Sequence, residues 1–403
     1  MGNGIIRQPQ QQLPMVNDMQ QRLREELAGI KSAGLWRRLR QLDSAQGVRI
    51  NLEGRELLNF SSNDYLGLAN DPILKRAASK AIEEFGAGSG SARLICGSQS
   101  PHHQLETALA AFKGTESAIC FSSGYAAALG VLPVVVGEGD TVVIDKLVHA
   151  SLIDGVRLSG AKLRVFKHNN LEDLERILQW AARREGHTLV ITESVFSMDG
   201  DLAPILNLVE LKEKYGAWLM VDEAHATGLF GKGRRGLIEE FGVGDRVDIQ
   251  MGTLGKALGS AGGYICGSQQ LVDLLINRAR SFVFSSAPVP AQAAAAKAAV
   301  DWVQTSEAEV ARTRLWGLVD QLKNGFIQRG WELSVVRSAI LPLVIGRESD
   351  AANLSDRLLA AGVFVPAIRY PTVARGKARL RITVSAAHSP EDVSQLLEIL
   401  GDA

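Results

Sequence analysis

The chain has 403 residues, 46% of them hydrophobic, and its 44 Lys and Arg are balanced by 44 Asp and Glu. That length supports a large core split into two or more domains, and balanced charge without a long basic run excludes the electrostatic footprint of a nucleic-acid binder. No apolar run approaches the roughly 20 residues of a membrane span and no signal-peptide pattern opens the chain, so a cytoplasmic protein with small-molecule ligands is expected.

Residues 1 to about 18 are rich in Gln and Pro and are expected to form a mobile tail. From Met19 to Leu42 the spacing predicts an arm helix, with Arg and Glu on one face and Leu, Ile and Trp on the other. "VRINLEGRELLNF" predicts a hairpin turning at Glu53-Gly54. Short apolar runs then alternate with helix-length amphipathic stretches: "SAICF", "TVVID", "KLRVF", "TLVITE", "AWLMVD" and "VDIQM". Continuous apolar strands between helices belong to a mostly parallel sheet covered on both faces, so the fold class is α/β. "PAQAAAAKAAVDWVQ" predicts a long linking helix, and the segment from Trp331 with "AILPLVIG", "FVPAIRY" and "ARLRITVSAAH" predicts a smaller C-terminal α+β domain. The expected domains are a tail and arm over 1–58, a large domain over 59–299 and a small one over 300–403. Cys96, Cys120 and Cys266 are scattered among apolar neighbours and read as reduced core thiols, not as a disulfide framework or zinc ligands.

In open α/β sheets, ligands gather beyond the carboxyl ends of the strands, which makes the residues after each apolar run the candidates. "AICFSSGYAAALGV" runs from a strand into a helix and leaves the N–H groups of Gly124 and Tyr125 free at its start; this fits a phosphate cradle and equally a plain turn. His149 follows one strand, and Glu193, Ser197 and Asp199 follow another. Asp222 closes the strand "AWLMVD", with His225 three residues on. A carboxylate ending a buried strand needs a specific partner, which a cationic ring nitrogen would supply. Lys256 stands in the glycine-rich "MGTLGKALGSAGG", where a desolvated lysine can attack a carbonyl. Alone it would read as a solvated loop lysine; together, these groups describe a pyridoxal 5'-phosphate (PLP) site. "GKGRRG", Gly231 to Gly236, matches a dinucleotide fingerprint but lacks the flanking strand and helix, and reads as a loop.

From about Leu35 onward the motifs "NFSSNDYLGLANDP", "GAGSGSARLICGS", "FSSGYAA", "DKLVHASLIDG", "SVFSMDGD", "VDEAHATGLFG", "GTLGKALGSAGGY" and "ARLRITVSAAH" occur in an order that resembles the α-oxoamine synthases. These are fold-type I PLP enzymes that condense a small amino acid with an acyl thioester and release carbon dioxide. The resemblance implies that Lys256 binds the cofactor aldehyde covalently and moves the substrate α-proton. It implies that Asp222 meets the pyridine nitrogen, His225 the ring oxygen, and that His149 stacks on the ring and polarises the thioester. Ser197 would touch the ring, Gly124, Tyr125 and Thr253 would bind the phosphate, and Ser285 or Ser286 would reach across a homodimer interface. Arg381 would clamp the substrate carboxylate, Asn63 would face the reacting centre, and Arg37 or Arg38 would meet a distal acyl carboxylate. "DEAHATGLFGKGRRG" and "SNDYLGLA" resemble the branch that joins L-alanine to a pimeloyl group carried on coenzyme A or acyl carrier protein. The glycine acetyltransferase and serine palmitoyltransferase branches are the alternatives, and Tyr370 stands where the family commonly has proline. A catalytically inactive partner subunit is a further alternative, which the intact Lys256 argues against.

Overall fold

The computed structural model of the protein describes residues 19–37, 39–333 and 336–403; the Gln- and Pro-rich tail and Arg38 lie outside them. The chain forms two units, one extending to Gln41 and the other covering Leu42–Ala403. In the first, the helix spans Met19–Ser32 and stops ten residues before the predicted end at Leu42. The cause is local: Gly34 takes φ 67°, and the N–H of Leu35 bonds the carbonyl of Ile30, a closure that a glycine in the left-handed region makes cheap.

The second unit opens with the predicted hairpin. Strands β1 (Arg49–Leu52) and β2 (Arg55–Asn59) pair antiparallel around Glu53 and Gly54, both at positive φ as a two-residue turn of this hand requires. All six apolar runs become strands: β3 (Ser117–Phe121), β4 (Thr141–Asp145), β5 (Lys162–Phe166), β6 (Thr188–Glu193), β7 (Trp218–Asp222) and β8 (Ile249–Thr253). A seventh, β9 (Gly263–Gly267), was not predicted, and the sheet order is β3-β9-β8-β7-β6-β4-β5. Six of its strands share one direction, β4 to β8 as parallel neighbours, whereas β9 is antiparallel to both of its neighbours, β3 and β8.

Alternation along the strands splits the core into two layers. Val142, Ile144, Leu189, Ile191 and Met220 face one way, against helices Gly124–Val135 and Ala150–Ser159. Val143, Val190, Leu219 and Val221 face the other, in the layer that includes helices Ser100–Lys113, Leu171–Ala181 and Ile205–Lys214. These side chains are buried to within a few per cent, and each contributes roughly 1.5–3 kcal/mol by leaving water. Strand β5 is the exception. It lies at the sheet edge and shows Lys162 and Val165 to solvent, the charged blunting expected of an unpaired edge.

Helix Pro290–Trp302 is the predicted linking helix, and a 23-residue helix, Ser306–Gln328, follows it. The C-terminal part holds β10 (Ile340–Gly346), β11 (Val363–Phe364), β12 (Ala367–Ile368) and β13 (Ala378–Thr383) with helices Glu348–Ala360 and Pro390–Leu400. Strands β10, β13 and β12 form one small sheet, while β11 pairs with β2 of the hairpin. Cys120 and Cys266 are buried free thiols as expected; Cys96 corrects that expectation, because it lies exposed in the short π-helical segment Arg93–Gly97. Among the described residues, no helix is long and apolar enough to cross a membrane.

Candidate active site

The carboxyl ends of β6, β7 and β8 converge on a cavity of about 180 Å³ lined by Gly124, Tyr125, His149, Glu193, Asp222, His225, Thr253 and Lys256, among others. Each wall follows from its element. Glu193 and Asp222 are the last residues of β6 and β7 and sit opposite each other in the pairing register, so two carboxylates lie side by side at the sheet end. His149 caps the helix Ala150–Ser159, its Nδ1 2.8 Å from Ser151 Oγ. Helix Gly124–Val135 starts at the cavity with Ser123 as its cap, Ser123 Oγ accepting from the Ala126 N–H, so the N–H groups of Gly124 and Tyr125 have no intrahelical acceptor. A Cβ on Gly263 would lie 2.6 Å from the Gly124 backbone, which is why β9 begins on glycine.

Lys256 Nζ lies 2.6 Å from His225 Nε2, and His225 Nδ1 lies 2.7 Å from the Tyr65 hydroxyl. Tyr65 donates to Asn63 Oδ1 at 3.2 Å, and the same oxygen accepts from Arg381 Nη1 at 3.1 Å. Arg381 Nε donates to the Ser197 carbonyl at 2.5 Å. Donors and acceptors align in one sense if Lys256 donates to Nε2: the Nδ1 hydrogen then points at tyrosine, and tyrosine's own at asparagine.

Burial dominates the electrostatics. It pushes the Lys256 ammonium down to about 8 against the pull of Asp222 and Glu193, with Arg381 adding to the lowering. Burial, reinforced by the Asp222 charge, lifts Glu193 to about 8. Asp222 is also raised by burial, with Lys256 opposing, and its Oδ1 accepts from the Ala224 N–H at 2.9 Å. His225 falls well below its ordinary value through burial and the Lys256 and Arg381 charges; His149 is lowered by burial too. A lysine near neutrality and a buried pair of carboxyls give the cavity a nucleophilic amine and a place for a positive ring nitrogen.

Of the residues expected from sequence, Lys256, Asp222, His225, His149, Gly124, Tyr125 and Thr253 line this cavity. Asn63 and Arg381 reach it through Tyr65 and His225, and Asn63 also lines an adjoining cavity of about 390 Å³ of which Lys256 forms part. Ser197 contributes its carbonyl to Arg381 and lines neither cavity. Ser285 and Ser286 follow the short helix Arg280–Val283 and line neither. Arg37 is exposed in the N-terminal unit. Tyr65 was missed, because it sits in a turn with no strand end to mark it; Glu193, singled out at its strand end but given no role, lines the cavity beside Asp222.

The glycine-rich loop Gly231–Gly236 closes on itself. The N–H groups of Gly233 and Arg235 donate to the two oxygens of Glu239, and that of Gly231 to Glu240, which occupies the donors a phosphate would use.

Residues 55–400 match the model of the aminotransferase class I and II family. Among curated relatives, the 8-amino-7-oxononanoate synthase of Symbiobacterium thermophilum is 46% identical over 93% of this chain and 95% of its own, and that of Geobacter sulfurreducens 47% identical over 92% and 94%. Among solved structures, a serine palmitoyltransferase from S. paucimobilis with a bound PLP–myriocin aldimine superposes with a TM-score of 0.89 at 30% identity, covering 94% of this chain and 95% of the other. The 8-amino-7-oxononanoate synthase of Francisella tularensis gives 0.73 at 30% identity, covering 85% and 96%.

Proposed function

The chain belongs to the class I and II aminotransferase family and within it to the α-oxoamine synthases, and from that premise we propose that it joins L-alanine to a pimeloyl thioester. The products are 8-amino-7-oxononanoate, carbon dioxide and the free thiol, a step of biotin biosynthesis. The acyl carrier is coenzyme A or acyl carrier protein, the working form is a homodimer and the compartment is the cytoplasm. Curated synthases at 46–47% identity support the alanine and pimeloyl reading over the serine palmitoyltransferase reading, whose fold likeness comes with 30% identity.

The residues present fit PLP. The buried Glu193 Oε1 has no hydrogen-bond partner, Asp222 ends a strand at the cavity, and Gly263 leaves room beside the open N–H groups of Gly124 and Tyr125. When bound, PLP supplies a ring that accepts the electron pair left as the amino acid loses its α-proton. Lys256 holds the aldehyde carbon and later carries the α-proton on Nζ. Its lowered pKa suits both tasks, since the neutral amine is the form that attacks and accepts. Asp222 keeps a proton on the pyridine nitrogen by opposing its positive charge. His225 and His149 would orient the ring, Ser197 would touch it, and Gly124, Tyr125 and Thr253 would bind the phosphate, with Ser285 or Ser286 of the partner subunit. Arg381 binds the substrate carboxylate by a two-pronged contact and Asn63 fixes its guanidinium. Arg37 is assigned to the distal acyl carboxylate. Residues 59–299 form the large cofactor-binding domain and 300–403 the small one, supported by the seven-stranded sheet lying within the first span and the β10-β13-β12 sheet within the second. Residues 1–58 are assigned to the tail and arm, a span that also takes in β1 and most of β2 from the second unit.

The observation that carries this reading is the half-buried Lys256 set among the buried His225, Asp222 and Glu193 at the ends of parallel strands. The test is thiol release and amino-ketone formation by the PLP-loaded protein, with L-alanine, glycine and L-serine each paired with pimeloyl-, acetyl- and palmitoyl-CoA. Preference for L-alanine with pimeloyl-CoA is expected; preference for glycine with acetyl-CoA overturns the assignment.

A further inference from the structure

Outside the cavity, Asp145, His168 and Asp201 form a cluster of charged groups. Asp145, the last residue of β4, is fully buried; its Oδ1 accepts from the Leu147 N–H and lies 2.9 Å from His168 Nδ1, and its Oδ2 accepts from the Asn169 N–H. The other ring nitrogen, His168 Nε2, lies 2.7 Å from Asp201 Oδ2. Both nitrogens face carboxyl groups, so with both acids ionised the ring carries both hydrogens and a positive charge. The neutral imidazole would turn a lone pair on one of the two acids. Burial opposes that charge, yet the bonds to Asp145 and Asp201 outweigh it and lift His168 to about 10.

Asp201 closes a short loop that starts at Ser194. The Phe196 N–H bonds the Asp201 carbonyl, the Ala203 N–H bonds the Ser194 carbonyl, and Val195 bridges Leu202. The edge of Phe196 meets the His168 ring at 4.4 Å between centroids, and Asn169 Nδ2 donates to Asp201 Oδ2 and the Leu202 carbonyl. The loop is thus gripped from the β4–β5 side of the sheet. From the opposite side Arg379 holds Met198 and Asp199, and Arg381 holds the Ser197 carbonyl.

We propose that Asp145, His168 and Asp201 form a charged clamp that fixes the Ser194–Ala203 loop, so that the Ser197 carbonyl aims Arg381 at the substrate carboxylate. His168 is then a positioning residue for amino-acid binding. It touches neither substrate nor cofactor and acts through Asp201, the loop and the carbonyl. The inference rests on the carboxylate-binding role proposed for Arg381.

The test is a double-mutant cycle on the PLP-loaded protein, reading L-alanine affinity from the change in cofactor absorbance without any thioester. His168→Gln and Asp201→Asn each weaken L-alanine by about 10-fold, and Arg381→Ala by about 100-fold. Because His168 works only through Arg381, the double variant His168→Gln with Arg381→Ala binds no worse than Arg381→Ala alone. Losses that multiply overturn the clamp, as does an unchanged affinity in His168→Gln. A second readout is independent of substrate: nitrogen-15 NMR of labelled histidine in the native protein shows both His168 ring nitrogens protonated at about pH 8.5. A neutral ring there overturns the clamp, whereas a doubly protonated ring in a protein that binds no amino acid overturns the Arg381 reading instead.

Discussion

Lys256 Nζ and His225 Nε2 stand 2.6 Å apart inside a site where burial has lowered the affinity of both for a proton. The pair holds its bond with a single bridging hydrogen, lysine donating and the histidine ring neutral. His225 therefore passes the orientation of Lys256 to Tyr65, and through Asn63 to Arg381. The amine and the guanidinium assigned to the substrate carboxylate are thus linked through side chains of this chain alone.

Replacing Lys256 by Ala removes the amine assigned to the cofactor aldehyde. The purified variant is expected to lack the visible absorbance of covalently held cofactor and to lose about three orders of magnitude or more in thiol release. Absorbance spectra and a thiol assay on the same sample check both.

Asp222→Asn keeps the shape of the strand end and deletes its charge. PLP still binds, but its ring nitrogen loses the counter-ion, and turnover falls by about 100-fold or more with little change in cofactor affinity. Retained binding in an equilibrium titration, alongside the lost rate, separates this from misfolding.

Covalent loading of the apoprotein with PLP should follow the neutral fraction of Lys256. Its folded pKa is lowered to about 8, so the loading rate rises as pH approaches 8 and levels off above it. Glu193 pulls that value upward, and Glu193→Gln is expected to shift the midpoint to lower pH. Stopped-flow absorbance across pH 6 to 9.5 measures both curves; a midpoint that moves upward contradicts the assigned sign.

The His168 clamp has a stability signature of the opposite kind. Its folded pKa of about 10 lies above the ordinary 6.5, so its contribution is complete below pH 6.5 and is lost as pH rises through 10. The gap in melting temperature between the native protein and His168→Gln should therefore narrow between pH 6.5 and pH 10 in thermal scans.

Gly263→Ala places a methyl group 2.6 Å from the Gly124 nitrogen and Cα, against backbone that cannot turn aside. The expected cost is roughly 1–3 kcal/mol in stability, together with weaker PLP retention, because the displaced N–H groups are those assigned to the phosphate. Denaturation and cofactor titration of the variant report the two effects separately.

Sequence alone revealed the six strands as short, mainly apolar runs, since burial on both faces leaves few polar residues to interrupt them, with Lys162 and Arg164 breaking the run only in the edge strand β5. It hid β9, whose five residues begin and end on glycine and whose Tyr264 puts a polar atom in the core, satisfied there by Thr227. The cavity's lysine, aspartate and histidines were legible because they follow strands directly. Tyr65 was not, because its relation to His225 spans 160 residues and is made by packing. The helix end near Gly34 shows the local version of the same limit: periodicity continued to Leu42, but one left-handed glycine ended the helix.

The bond between Asn63 and Arg381 joins residues 318 positions apart. On a ribosome adding roughly 5–20 residues per second, about 15–60 s separate their synthesis. Through that interval Asn63 and the hairpin beside it wait for their partners, β13 and β11, whereas the last strand of the central sheet, β9, is synthesised before either partner. The nascent chain thus contains Lys256 well before it contains Arg381, so the residue assigned to the cofactor exists before the one assigned to choosing the amino acid.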